Sequence, residues 1–230
     1  MDMQKIFVMG GGGFTMEPKN PLLDLYTLSL TQKIKPKICF LPTASGDNPN
    51  LIQSFYTAFH KLNCTPAHLS LFNPPTRDLE SFIFDQDLIY VGGGNTKNLL
   101  TLWKEWNLDK FLKRANTDGI VLAGLSAGMI CWFEQGVTDS FGKNQLDVIA
   151  GLGFLSGSAC PHFDNEVHRR PFYIQSINNK LAQGGLALDD GVGALFIDGK
   201  IKEYVSSRPQ AGAYSVQPGL EKKLSVKYLG

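Results

Sequence analysis

Cysteine is scarce and scattered in this chain. Cys39, Cys64, Cys131 and Cys160 are the four among 230 residues, and no two stand at the spacing of a zinc knuckle or a redox CxxC pair. Cys39 and Cys131 lie inside apolar runs, where a buried, reduced thiol is the expected state. Charge of either sign shows no excess: 22 Lys and Arg against 21 Asp and Glu leave a net charge of +1. With no basic run and no aromatic-basic interleaving, there is no electrostatic reason to expect nucleic acid or an anionic membrane as partner. Long apolar runs are missing as well. MDMQKIFVMGGGG at the N-terminus has only a few apolar residues before its glycines, too few for a signal-peptide core or a membrane span. A soluble cytoplasmic protein is the expectation. No His/Asp/Glu cluster has metal-ligand spacing, so neither a metal nor a cofactor is expected. No Pro/Ser-rich linker, charge block or internal repeat divides the chain, and a single domain over residues 1–230 is expected.

What is present is a strong apolar pattern. The hydrophobic fraction of 43% against 19% charged supports a sizeable core. Lys5–Met9, Lys37–Leu41, Ala67–Phe72, Leu88–Val91 and Ile120–Ala123 read as short strands, each almost continuously apolar, as befits strands covered on both faces. Helical patterns fall between them, near Pro21–Lys33, Asn50–Leu62, Leu79–Phe84 and Thr96–Ala115. This alternation predicts an α/β fold with a doubly wound, mostly parallel sheet. After about Phe141 the pattern changes. Val148–Leu155 and Gly157–Cys160 read as strands and Val167–Gln183 as a long helix. Gly184–Leu188, Ala194–Ile197, Ile201–Ser206, Ala213–Val216 and Lys223–Tyr228 then read as antiparallel strands extending the same sheet, with a hairpin turn at Asp198-Gly199.

Three glycine-rich loops follow strands: GGGGF (Gly10–Phe14), GGGNT (Gly92–Thr96) and GLSAG (Gly124–Gly128). The carboxyl ends of strands carry the ligand site in open α/β sheets, so the three should converge on one edge. GLSAG joins the apolar strand IVLAG to the helix pattern AGMICWF. A G-x-S-x-G turn in that context forces its serine onto a strained turn with the hydroxyl exposed, which makes Ser126 a candidate nucleophile.

A serine nucleophile needs a base. Of four histidines, His60 falls in a helix pattern, His68 in or beside a strand, and His168 near a helix start; His162, in SACPHFDN directly after a strand, is preferred. A carboxylate must then orient the imidazole. Glu134, Asp139 and Asp147 lie between serine and histidine; Asp139 is favoured with Glu134 next, and spacing does not separate these two. Backbone amides of Ala127 and of Gly93 or Gly94 are the candidate oxyanion donors. The glycine loops also admit a phosphate-cradle reading, but none matches a P-loop or a dinucleotide fingerprint.

With FLPTASGD, YVGGGNT, GxSAG and C-PHF in this order over most of its length, the chain resembles the dipeptidase E (alpha-aspartyl dipeptidase) family of serine peptidases. These are relatives of the class I glutamine amidotransferases that carry serine in place of cysteine. The resemblance implies a flavodoxin-like α/β fold, a Ser-His-Asp/Glu triad and cleavage of short peptides, often with an N-terminal aspartate. It assigns Ser126 as nucleophile, His162 as base, and Ala127 with the Gly93 region as oxyanion donors. Two departures stand out: Leu125 occupies the position before the serine where these dipeptidases usually have tryptophan, and FDNEVHRRPF follows His162. Arg169 and Arg170 in that segment are candidates for pairing with an acidic substrate side chain.

The expected function is thus a serine exopeptidase acting on short peptides. The alternatives are another serine hydrolase such as an esterase, and a catalytically silent, amidotransferase-like ligand-binding module. Apolar residues on the C-terminal strands are compatible with a homodimer.

Overall fold

The computed structural model describes residues 3–142 and 145–230. The first half alternates strand and helix: β1 (Lys5–Met9), α1 (Gly13–Met16), α2 (Leu22–Ser29), β2 (Lys37–Leu41), α3 (Pro49–Phe59), β3 (Thr65–His68), α4 (Leu79–Phe84), β4 (Leu88–Val91), α5 (Thr96–Glu105), α6 (Leu108–Thr117) and β5 (Val121–Leu125). There follow α7 (Ala127–Ile130), β6 (Phe133–Thr138), β7 (Asp147–Ala150), β8 (Leu155–Cys160), α8 (Arg169–Asn178), β9 (Gly185–Leu188), β10 (Val192–Ile197), β11 (Lys200–Ser206), β12 (Ala213–Gln217), β13 (Leu220–Leu224) and β14 (Lys227–Tyr228).

The strands form two sheets. Eight lie in the order β14-β11-β10-β1-β5-β4-β2-β3 and six in the order β13-β12-β9-β8-β6-β7. β1, β5, β4, β2 and β3 run parallel, as their apolar sequences predict. Every position of β4 and β5 is buried. Along β4 the side chains alternate between two cores: Tyr90 joins Phe14, Phe40, Phe55 and Phe59 beneath α1–α3, whereas Ile89 and Val91 join Trp103 and Trp132 on the other side. Each such side chain removed from water stabilises the fold by about 1.5–3 kcal/mol. Phe40 stacks on Phe55 with ring centroids 4.9 Å apart, and Phe14 meets Phe40 edge-on at 5.4 Å.

Local chemistry sets several boundaries. Asn48 caps α3 by accepting from the Asn50 N–H at 2.9 Å, with Pro49 in the first turn. Asn95 caps α5 by accepting from Asn98 N–H at 2.8 Å. The single helix predicted over Thr96–Ala115 is two helices, because Asn107 adopts φ +53° between them.

Two larger differences concern the second half. The run after Ser126 is helical for only four residues and then becomes strand β6. The C-terminal strands do not all extend the first sheet: β10, β11 and β14 do, while β9, β12 and β13 join β6–β8 in the second. The chain passes between sheets at Asp189–Gly191, which connects β9 to β10.

Candidate active site

Ser126 occupies the tip of β5 with φ +55° and ψ −114°, a conformation that costs an L-residue on the order of 1–3 kcal/mol. The surrounding packing imposes it. A Cβ on Gly124 would lie 2.2 Å from the Gly128 carbonyl oxygen, and one on Gly128 would lie 2.4 Å from that of Val91. Strand and helix therefore meet through bare backbone on either side of the serine. The Ser126 N–H donates to the Met9 carbonyl at 3.2 Å, tying the turn to the end of β1. Ala127 begins α7, so its N–H is among the first-turn amides with no intrahelical acceptor.

The GGGNT loop stands directly beside this turn. A Cβ built on Gly93 would be 3.5 Å from Ser126 Oγ. The loop is anchored from two sides. Asn95 N–H donates to the Ala44 carbonyl at 2.7 Å, which brings the FLPTASGD segment under it. Asn95 Nδ2 donates to the Ser140 carbonyl at 3.0 Å, and Thr96 N–H to Ser140 Oγ at 2.8 Å.

His162 follows β8 and its ring lies against the first glycine loop, where a Cβ on Gly11 would meet its Cε1 and Nδ1 at 2.9 Å. Because β1 and β5 are adjacent parallel strands, Gly11 and Ser126 share one sheet edge. Its Nδ1–H donates to Asp190 Oδ1 at 2.6 Å. Asp190 is wholly buried, whereas 13% of the His162 side chain remains exposed, leaving the imidazole approachable. Asn165 Nδ2 donates to the other Asp190 oxygen at 2.9 Å, and the Asp190 N–H donates to Asp164 Oδ1 at 2.9 Å. Burial pushes the Asp190 carboxyl up, but the bond and charge of His162, the Asn165 amide and the Arg208 charge outweigh it and hold the group below the usual carboxylate range. A carboxylate fixed on Nδ1 leaves Nε2 of the imidazole as the basic atom.

A hollow of about 570 Å3 is lined by Asp139, Leu146, Glu166, Val167 and His168, between the segment that carries Ser140 and the turn that follows His162. Another, of about 410 Å3, is lined by Lys5, Lys33, Asp87 and Gly119 among others. That one opens at the amino-terminal ends of the strands, the edge opposite Ser126. Among the described residues no group of three or more His, Cys, Asp or Glu is placed to hold a metal ion. No helix among them is long and apolar enough to cross a membrane.

The model of peptidase family S51 matches residues 6–204. The chain belongs to peptidase family S51. Membership makes it a serine peptidase, in agreement with the family resemblance of its motifs. It is 56% identical to uncharacterized peptidase YgaJ of Bacillus subtilis (strain 168), over 99% of this chain and all of that one. Its fold is similar to that of a peptidase from an acI-B1 Actinobacterium, with TM-score 0.76 at 17% identity over 97% of this chain and 95% of that one. A candidate peptidase E protein from Listeria monocytogenes EGD-e aligns with TM-score 0.64 at 17% identity, over 97% of this chain and all of that one.

Within this S51 peptidase, neither carboxylate expected to serve His162 is at the imidazole. Glu134 Oε2 accepts from the Gly157 N–H at 2.9 Å, because β6 and β8 are neighbours and direct it there. Asp139 Oδ1 lies 3.8 Å from Arg169 Nη2 and is half exposed. Asp190 takes the place at Nδ1 from beyond His162 in the chain. The sequence signal for it is an acidic pair, Asp189-Asp190, ending the apolar run GLAL and followed by glycine.

The two arginines expected to meet an acidic substrate are engaged elsewhere. Arg169 is buried, donating through Nε to Glu166 at 2.5 Å and through Nη1 to the Val137 carbonyl at 3.0 Å. Arg170 forms a two-pronged pair with Glu221 and lies over the rings of Phe163 and Tyr214. Of the other histidines, His68 Nδ1 is 2.9 Å from the Tyr56 hydroxyl and His60 stacks on the Tyr56 ring, far along the sheet at β3. His168 lines the hollow beside Glu166.

Proposed function

We propose that this S51 peptidase hydrolyses short peptides through a triad of Ser126, His162 and Asp190, with an acyl-enzyme intermediate. The observation that carries the reading is the bond from His162 to a wholly buried carboxylate beside the strand pair whose tip holds Ser126 in its strained turn.

The chemistry proceeds in two halves. His162 Nε2 takes the proton of the Ser126 hydroxyl as Oγ attacks the scissile carbonyl carbon. Negative charge on the carbonyl oxygen rests on the Ala127 N–H and an amide of the Gly93–Gly94 segment. As the C–N bond breaks, the imidazolium gives its proton to the leaving amine. The acyl group then sits on Oγ as an ester. Water enters, loses a proton to Nε2 and attacks that ester, after which the proton returns to Ser126 and the new acid departs. Asp190 stays ionised throughout, holding the tautomer and offsetting the imidazolium charge. Peptides with an amino-terminal aspartate head the list to test, but recognition by Arg169 or Arg170 would require each to leave its present partners.

A fluorophosphonate probe tests the nucleophile, and a dipeptide panel set against aryl esters tests the substrate class. Stoichiometric labelling that disappears in Ser126→Ala and falls sharply in His162→Ala, with turnover of dipeptides, is the expected result. Turnover confined to esters would replace the peptidase by an esterase. A folded protein that resists labelling would leave a ligand-binding module.

A further inference from the structure

Two segments far apart in the chain close over the loop that carries Asp190. Glu17, just past α1, accepts from Arg208 Nε at 2.9 Å and from Ser207 Oγ at 2.6 Å. The stretch Ser206–Arg208 also brackets Gly191. The Gly191 carbonyl accepts from Ser207 N–H at 2.9 Å, from Ser206 Oγ at 3.1 Å and from Ser207 Oγ at 3.2 Å. On its other side, Gly191 N–H donates to the Gly11 carbonyl at 3.0 Å. Arg208 lies across Gly191 so closely that a Cβ there would come within 2.8 Å of Arg208 Cγ. Gly12, at φ +105°, closes the fit from below: a Cβ on it would be 2.9 Å from Glu17 Oε2 and 3.1 Å from Gly191 Cα.

These contacts grip the acid–base pair from both sides. Gly11 backs the His162 ring, and Gly191 directly follows Asp190. Glu17 and Arg208 have side-chain exposures of 10% and 37%. A partly exposed ion pair of this kind adds little to stability by itself, so stability does not account for three polar side chains converging on one glycine. The positive charge of Arg208 also favours the ionised form of Asp190.

We infer that Glu17 and Arg208 form a clasp that positions Asp190, and through it the imidazole of His162, for proton transfer. Neither touches the reacting atoms in this scheme; both are positioning residues. The inference rests on the Ser126–His162–Asp190 reading above.

The test uses the full chain with Glu17→Gln, Arg208→Gln, the double variant and Arg208→Lys. Two quantities are read: the rate constant for fluorophosphonate labelling of Ser126, and the low-field proton NMR signal of the His162 Nδ1–H bonded to Asp190. Each Gln variant is expected to label roughly tenfold more slowly, the scale on which small misplacements act. The double variant should be no slower than the slower single one, since both break the same contact. Arg208→Lys, which restores a cation opposite Glu17, should recover much of the rate. The low-field signal should broaden or vanish in the Gln variants and persist in Arg208→Lys. Labelling within twofold of the parent together with an unmoved low-field signal in both Gln variants would overturn the clasp. Where Arg208→Gln does not fold, Glu17→Gln decides by the same two readouts. An unlabelled parent protein would end the nucleophile reading instead, and the NMR signal, which needs no turnover, would then decide the clasp alone.

Discussion

Gly93 and Ser126 stand so close that a methyl group on the glycine would come within 3.2 Å of Ser126 Cβ and 3.2 Å of Leu125 Cδ1. The contact is tight without being impossible, so an alanine displaces its neighbours by a few tenths of an ångström. Gly93→Ala is therefore expected to fold with a nearly unchanged melting temperature and to lose roughly tenfold or more in acylation rate. Acylation at the parent rate would place the oxyanion donor elsewhere.

Removing the charge of Asp190 while keeping its shape separates the proposed triad from its sequence-based rivals. Asp190→Asn offers Nδ1 an amide in place of a carboxylate, which favours the wrong imidazole tautomer; a drop on the order of 10³–10⁴ in kcat is expected. Glu134→Gln and Asp139→Asn, whose carboxylates serve the Gly157 amide and face Arg169, should each stay within about tenfold of the parent. A reversed ranking in dipeptide turnover would return the role to one of those two residues.

Asp24 gives the protein a pH-dependent stability. Burial on α2 beneath the first glycine loop, opposed by the Tyr90 hydroxyl at 3.4 Å and reinforced by the charge of Glu17, pushes its carboxyl up to about 7. The folded state thus keeps a proton that the unfolded chain releases, and this group's contribution to stability falls as pH rises from about 4 to 7. Asp24→Asn removes the titration. Its stability relative to the parent should increase between pH 5 and pH 8 by on the order of 2 kcal/mol, read from urea unfolding midpoints. A pH-independent difference would mean that Asp24 ionises normally in the folded protein.

The parallel core was legible because its strands have one physical requirement: apolar side chains on both faces. That pattern marks β1, β2 and β4 to the residue. The run after Ser126 was harder. A short apolar stretch fits a buried helix as well as a buried strand, and here it is both in turn, α7 and then β6. Motif context marks Ser126 and His162 as candidates, and the structure sets the His162 ring against Gly11, at the sheet edge where Ser126 lies. No motif marks Asp190, which lies beyond His162 in the chain, outside the stretch between the serine and the histidine. Which acid reaches the imidazole depends on the pairing of β8 with β9 and the passage from β9 to β10, and long-range pairing leaves no local mark. Arg169 and Arg170 show the converse: residues with the right chemistry beside the right histidine, committed by packing to Glu166 and Glu221.

The parts of the proposed centre are divided between the two sheets, with Ser126 and Gly93 on the larger, His162 after a strand of the smaller, and Asp190 on the passage joining them. On the proposed triad, hydrolytic competence would arrive late in biosynthesis, after the ribosome has released the β9–β10 passage and the halves have docked. With that triad, a chain that stops short of Asp190 carries Ser126 and His162 without their acid partner.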